Sequence, residues 1–305
     1  MSGIGCIAAV VLNYKTWEDA VNCVNDLKAQ DYPEKHIVVV ENGSGNDSAE
    51  QLKKRFDNDP LVTVLVSETN LGFAKGNNLG IRYAHEKLGC DTVFVVNSDT
   101  RIPASLFSRI AAVDAKGVGA ISPYVSDANG VPQNFPVNTD DIDKTARKTI
   151  VDLLKANIVS WPLLSKLYDD HVKKGRGEEE HHGVPASAEK PSANKYVLQG
   201  CAYFLTPGFF EHYRGIYPRT FLYWEEIDLL LMLKKAGLRS ICAEDAELTH
   251  FGLVSTQKAA KNINRFRIKH SNRSMMRSLP LILGMSEKRI RRCIDKSEQF
   301  TAPLT

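Results

Sequence analysis

The chain lacks the apolar run of about 18 residues that a membrane span requires. It also lacks any Cys-x-x-Cys pair. Its six cysteines (Cys6, Cys23, Cys90, Cys201, Cys242 and Cys293) are scattered, which argues against a cysteine-held metal cluster and predicts reduced thiols in a cytosolic protein. Charge of one sign is not in large excess: the net charge is +3, so overall charge does not ask for a nucleic-acid partner. The apolar stretch from Ile4 to Leu12 has no basic region before it and no cleavage site after it, and it reads as a buried strand rather than a signal peptide. Internal repeats are missing. So is any Ser-His-Asp or Cys-His arrangement that would point to a covalent nucleophile. No glycine-rich phosphate loop follows the first apolar run; Asn13-Tyr14-Lys15-Thr16 stands there instead. What is present is ordinary globular composition, 43% hydrophobic and 25% charged over 305 residues, enough to bury a core.

Through about residue 125, short apolar runs alternate with helical patterns. Ile4–Leu12, His36–Val40, Leu61–Val66, Thr92–Val96 and Val118–Ser122 read as strands. Between the first two, Thr16 is placed to cap a helix whose stripe is Trp17, Ala20, Val21, Val24 and Leu27. Ser48 with Gln51 has the spacing of a capping box. Such alternation predicts an α/β fold built on a mainly parallel, Rossmann-like sheet flanked by helices. Ligands of such sheets bind outside the carboxyl ends of the strands. Residues 138–195 break the pattern and read as a helical insertion followed by a polar, mobile loop. Order returns at a strand over Tyr196–Leu205, a helix over Glu225–Ala236 stopped by Gly237, and a short strand over Arg239–Ala243. Residues 257–298 hold twelve Lys/Arg against three acids, a local balance of +9.

Three motifs stand where chemistry is expected. Val95-Val96-Asn97-Ser98-Asp99 is an apolar strand emerging into a carboxylate, which can hold Mg²⁺ or Mn²⁺ with phosphate oxygens completing the shell. Asn70-Leu71-Gly72-Phe73-Ala74-Lys75-Gly76-Asn77-Asn78 is a turn opening a helix. Gly72 and Gly76 would let the backbone approach a nucleotide and Lys75 would reach its phosphate or base; alternatively the glycines serve backbone geometry alone. Glu225, Glu226 and Asp228 crowd one helix start. Adjacent carboxylates repel, so one gains a raised pKa suited to proton abstraction, although the helix dipole alone also favours acids there. Glu41 and Asn42 can meet a nucleobase edge or simply build their turn. Phe221, Tyr223 and Trp224 line a sugar pocket or belong to the core. His250, at another strand end, is a metal or phosphate contact or a structural histidine.

Together these motifs resemble those of family 2 glycosyltransferases of the GT-A fold, in the bacterial rhamnosyltransferase-like branch. The match covers most of residues 5–125 and 196–256. Val10-Val11-Leu12-Asn13-Tyr14 is similar to that family's first strand, and Glu41-Asn42-Gly43-Ser44 resembles its nucleotide-binding turn. Asn70–Asn78 agrees nearly letter for letter. Asn97-Ser98-Asp99 is similar to the metal-binding Asp-x-Asp motif, Gly200-Cys201-Ala202 to the acceptor-side segment, and Thr249-His250-Phe251-Gly252 to the terminal histidine motif. Glu225-Glu226-Ile227-Asp228 stands where the family has Glu-Asp-x-Asp. The resemblance makes Glu226 the base, with Glu225 and Asp228 beside it. Glu41 and Glu226 each replace the family's usual Asp and add a methylene.

The resemblance implies a GT-A domain over 1–256, with a nucleotide-sugar half (1–125) and an acceptor-side half (196–256), and a basic helical tail over 257–305. It implies inverting, Mn²⁺- or Mg²⁺-dependent transfer of a sugar from a UDP or dTDP donor to a saccharide hydroxyl in bacterial surface polysaccharide synthesis. Substrate contacts would come from Asn13, Glu41, Asn42, Asn70, Gly72, Lys75, Gly76, Asn77, Asn97, Ser98, Gly200 and Trp224, and metal contacts from Asp99 and His250. The expected partners are the donor and a saccharide or lipid-linked saccharide acceptor, with no nucleic acid. Self-association and peripheral contact of the basic tail with the anionic inner face of the cell membrane are both compatible with a cytoplasmic enzyme. The competing readings are a nucleotidyltransferase and a nucleotide-sugar-binding protein that has lost turnover.

Overall fold

The computed structural model describes residues 4–133, 142–144, 146–148, 151, 198–252 and 263–297. Most of the 138–195 insertion therefore lies outside the described residues, as do Tyr196 and residues 253–262.

Eight strands form one sheet: β1 (Ile7–Asn13), β2 (Lys35–Asn42), β3 (Val62–Ser67), β4 (Thr92–Asn97), β5 (Thr100–Arg101), β6 (Val118–Ser126), β7 (Ala202–Leu205) and β8 (Arg239–His250), in the order β3-β2-β1-β4-β7-β6-β8-β5. β3, β2, β1 and β4 are mutually parallel. β7 enters antiparallel between β4 and β6, β8 runs parallel to β6, and the short β5 closes the edge antiparallel to β8. The expected α/β class and mainly parallel sheet are what is observed.

The continuous apolar runs follow from helices covering both faces. Ala8, Val10, Val38, Val40, Val93 and Val95 point to one face, where they pack with Ala74 and Ile81 of the Gly72–Arg82 helix and with Leu229 to Leu233 of the Glu225–Lys235 helix. Ile7, Ala9, Val11, Ile37, Val39, Phe94 and Val96 point to the other. There they meet the Trp17–Lys28 helix through Ala20, Val24 and Leu27, the Ser48–Phe56 helix through Leu52, and the Leu106–Ala111 helix through Phe107 and Ile110. Among the described residues no helix is long and apolar enough to cross a membrane.

Several local expectations are corrected. Thr16 occupies the N-cap position without capping; its hydroxyl lies 3.4 Å from Ser98 Oγ. Ser48 begins its helix, and Asp47 occupies the N-cap position without a capping side-chain bond; its carboxylate accepts from the Gln51 side chain (Nε2, 3.4 Å) instead. The short strand over Arg239–Ala243 continues to His250, because pairing with β6 and β5 carries it past a register shift at Pro123/Tyr124. The expectation of reduced thiols fails at one pair. Cys6 lies just before β1 and Cys90 just before β4, and the parallel register of these neighbouring strands brings their Cα atoms to 4.7 Å in a disulfide. Their separation of 84 residues hid the pairing. Cys23, Cys201, Cys242 and Cys293 are free thiols.

Candidate functional site

The carboxyl ends of β1, β2 and β4 and the start of the antiparallel β7 share one rim. A cavity of about 530 Å³ opens there. Its wall includes Asn42, Asn70, Gly72, Asn97, Ser98, Asp99, Gly200, Phe221, Tyr223, Glu225, Glu226 and His250, so twelve of the residues singled out in the sequence converge on one space.

β4 ends at Asn97, whose backbone N–H donates to Cys201 O at 2.8 Å. Asp99 follows in the turn to β5 and is nearly buried. Pairing of Thr100 with His250 brings β8 alongside, and His250 Nε2 lies 3.3 Å from Asp99 Oδ1. His250 Nδ1 lies 2.8 Å from Gln133 Oε1. With the Nδ1 proton donated to Gln133, Nε2 turns a lone pair toward the cavity beside a carboxylate. An imidazole nitrogen and a carboxylate oxygen so placed, with the remaining positions open to substrate oxygens, fit a divalent cation of the Mn²⁺ or Mg²⁺ type. Gln133 was not foreseen; it lies in an irregular segment with no local motif to mark it.

The acids come from the other side. Tyr223 and Trp224 adopt left-handed backbone conformations (φ 70° and 79°) immediately before the Glu225–Lys235 helix. Two such non-glycine residues in succession cost on the order of 1–3 kcal/mol each and persist only where the surroundings impose them. The Ile263–Ile282 helix does so through a row of serines. Trp224 Nε1 donates to Ser271 Oγ (3.3 Å), Ser274 Oγ donates to Leu222 O (2.8 Å), and Ser278 Oγ donates to Asp228 Oδ2 (2.8 Å). Trp224 is thereby a core residue, 4% exposed, and does not line the cavity. Asp228 is fully buried behind the acid pair; burial, before the Glu225 and Glu226 charges, holds its carboxyl well above the usual range.

Glu225 and Glu226 face the cavity. Glu225 is buried, its Oε1 finds no hydrogen-bond partner, and its carboxyl is pushed up to about 8 by burial first and the neighbouring Glu226 second. Glu226 is half-buried and its carboxyl is also raised by burial. A Cβ on Gly200 would lie 3.2 Å from Glu226 Oε2, so this glycine leaves the carboxylate its room.

The nucleotide-side residues divide. Asn42 and Asn70 line the cavity and also build its floor: Asn42 Oδ1 accepts from Leu71 N (3.0 Å), Asn42 Nδ2 donates to Gly72 O (3.3 Å), and Asn70 Oδ1 accepts from Gly72 N (2.9 Å). Gly72 has φ +78° and a Cβ there would meet Phe221 O at 2.5 Å. Glu41 points into its own turn, accepting from Gly43 N (3.1 Å) and Ser44 N (2.9 Å). Gly76 serves helix packing, since a Cβ there would press on Leu12 Cδ1 at 2.7 Å. Asn77 is buried and donates to Phe73 O at 3.0 Å. Asn13 is buried at the end of β1, with neither amide atom partnered by the chain. Asn13, Glu41, Lys75, Gly76 and Asn77 all lie outside the cavity wall. Conversely, Tyr14, Gln199, Cys201 and, from the basic tail, Phe266, Arg267 and His270 belong to it. The tail therefore helps to enclose the site.

Residues 8–157 match the model of glycosyl transferase family 2. A stretch of 129 residues is 27% identical to the low-salt glycan biosynthesis hexosyltransferase Agl10 of Haloferax volcanii; it covers 42% of this chain and 39% of that protein's length. Over nearly the whole chain the fold is similar to that of S. aureus TarS 1–349, solved with UDP (TM-score 0.53, 14% identity, 96% of this chain and 70% of that one). It is also similar to GalNAc-T7, solved with UDP, GalNAc and Mn²⁺ (TM-score 0.56, 10% identity, 96% and 55%), and to the mannosyltransferase PcManGT of Pyrobaculum calidifontis, solved with GDP-Man and Mn²⁺ (TM-score 0.50, 13% identity, 95% and 73%). The fold is GT-A.

Proposed function

We propose that the protein is a glycosyltransferase that moves a sugar from a nucleoside diphosphate donor to a saccharide hydroxyl with inversion at the anomeric carbon. One observation carries the reading: a carboxylate–imidazole pair, Asp99 and His250, shares a single cavity with a pair of carboxylates of raised pKa, Glu225 and Glu226. The Agl10 match and the bound nucleotides and Mn²⁺ of the fold neighbours support it.

Asp99 and His250 would hold a divalent cation. When bound, that ion supplies charge neutralisation for a diphosphate leaving group. The turns around Asn42 and Asn70 would seat the nucleotide. Glu226 accepts the proton of the acceptor hydroxyl; the freed oxygen attacks the anomeric carbon as its bond to the diphosphate breaks. Burial gives Glu226 the basicity this transfer needs. Glu225, protonated below pH of about 8, keeps its own proton and does not compete for that of the acceptor. On the strength of the sequence resemblance, UDP- and dTDP-linked hexoses, dTDP-rhamnose among them, are the donors to try first, in the setting of surface polysaccharide assembly.

The test measures nucleoside diphosphate release with and without Mn²⁺. Asp99→Ala should abolish the metal-dependent part of donor binding. Glu226→Gln should lower kcat by at least about 100-fold with donor affinity nearly unchanged. Release of pyrophosphate instead would make the protein a nucleotidyltransferase, and binding without turnover a nucleotide-sugar-binding protein.

A further inference from the structure

The Ile263–Ile282 helix has two working faces. Ser271, Ser274 and Ser278 grip the acid-bearing turn from the inner one. On the outer one Ile268, Met276 and Leu283 are 61%, 54% and 75% exposed. Their spacings of eight and seven residues keep them on one side of the helix and the turn that follows it. Lys269, Arg273 and Arg277 are exposed among them. Residues 263–286 contain five Lys/Arg and no Asp or Glu. The next helix, Glu287–Lys296, buries Ile290 and Ile294 and exposes Lys288, Arg289, Arg291 and Arg292.

We infer that this face docks the protein on an anionic lipid bilayer, with the three apolar side chains entering the interface and the lysine and arginines meeting the headgroups. Cationic charge around a narrow apolar row is the pattern of an interfacial helix. A second copy is a poor occupant, because a two-fold contact would set the acid-free, cationic 263–286 segment against itself. Phe266 and His270 of the same helix line the cavity. Docking would therefore hold the site near the lipid surface. An acceptor sugar carried on a lipid would then be within reach, a consequence that rests on the glycosyl-transfer reading; the docking itself does not.

The test is co-sedimentation with vesicles of phosphatidylglycerol and phosphatidylcholine, compared with phosphatidylcholine alone. Removing the tail would also remove part of the cavity wall and the serine row, so point variants are used. The full chain should bind only the anionic vesicles. Binding should fade as NaCl is raised toward about 1 M, where the screening length falls to about 3 Å. Each Lys or Arg near the surface contributes about fivefold in affinity, so Lys269→Glu with Arg273→Glu should weaken binding by at least about 30-fold. Met276→Asp should weaken it by removing an apolar contact. Nucleoside diphosphate release to a soluble acceptor should stay unchanged in all of these variants. Equal binding to both vesicle types, or to neither, would overturn the inference. So would salt-sensitive binding to a single-stranded RNA with no vesicle binding, or a concentration-dependent dimer in light scattering that Met276→Asp abolishes.

Discussion

Glu225 is buried against a second carboxylate with one oxygen unpartnered, and this arrangement should be visible in the pH dependence of stability. Its carboxyl rises from 4.5 to about 8 in the fold. The folded state thus holds this proton more tightly than the unfolded state does. Its contribution is fully present below pH of about 4.5 and is lost as pH rises through about 8. At 1.36 kcal/mol per pH unit the difference amounts to on the order of 5 kcal/mol. That is a ceiling, because the turn can relax and admit water once the group ionises. Glu225→Gln keeps the shape and removes the titration. In urea unfolding without donor or metal, variant and wild type should be similar in stability near pH 4.5. They should diverge until the variant is more stable by about 2–5 kcal/mol at pH 9. Glu226 and Asp228 are raised too and give both proteins a falling baseline, so the informative quantity is the difference between the curves. A difference that stays constant from pH 4 to pH 9 would show that Glu225 does not titrate as its burial requires.

Two further changes probe the frame around the site. Gly72→Ala places a Cβ 2.5 Å from Phe221 O at a φ of +78°; it should cost about 2–4 kcal/mol by chemical denaturation, and a cost below about 0.5 kcal/mol would refute the close approach. Ser278→Ala leaves Asp228 with neither oxygen partnered; it should cost about 1–3 kcal/mol, with Asp228→Asn recovering part of the loss in the double variant, and an unchanged midpoint would remove the serine row from the account of how the acid turn is held.

The parallel half of the sheet was legible because its signal is local. Each strand from β1 to β4 is a nearly continuous apolar run, and each ends in a polar turn that the carboxyl-end rule places on one rim. The residues that this rule concerns most directly, Asn42, Asn70, Asn97 and Asp99, did meet in the cavity. Within the same motifs, side chains whose direction depends on packing could not be read. Gly76 and Asn77 are adjacent on a helix, yet neither lines the cavity: Gly76 lies against Leu12 of β1 and Asn42 of β2, and the buried Asn77 amide bonds back to Phe73 O. Glu41 offered two roles, and its backbone partners now occupy both oxygens. Trp224 stands directly before the catalytic candidates but points into the core, since the left-handed pair at Tyr223 and Trp224 reverses the chain there. The disulfide was hidden for a different reason: it depends on which strands are neighbours, and 84 residues separate its halves.

The basic tail shows most clearly where a composition argument stops. Twelve Lys/Arg against three acids describes a charge balance over residues 257–298 and nothing about direction. The helix of residues 263–282 resolves that balance into opposed faces. The serines at 271, 274 and 278 repeat at intervals of three and four, which is the spacing of one helical face, and all three bond to the segment between Leu222 and Asp228. That segment contains the two strained residues and the acid pair. Without the helix nothing described in the structure would bond the Trp224 indole, the Leu222 carbonyl or the Asp228 carboxylate, and a left-handed Tyr223–Trp224 pair has no intrinsic stability to fall back on. The orientation of Glu226 is thus set by a segment some fifty residues further along the chain. On the proposed role of Glu226 as the base, a 1 Å error in its position costs on the order of 100-fold in rate, so a change in how the tail packs should be felt first in kcat, before any loss of donor binding.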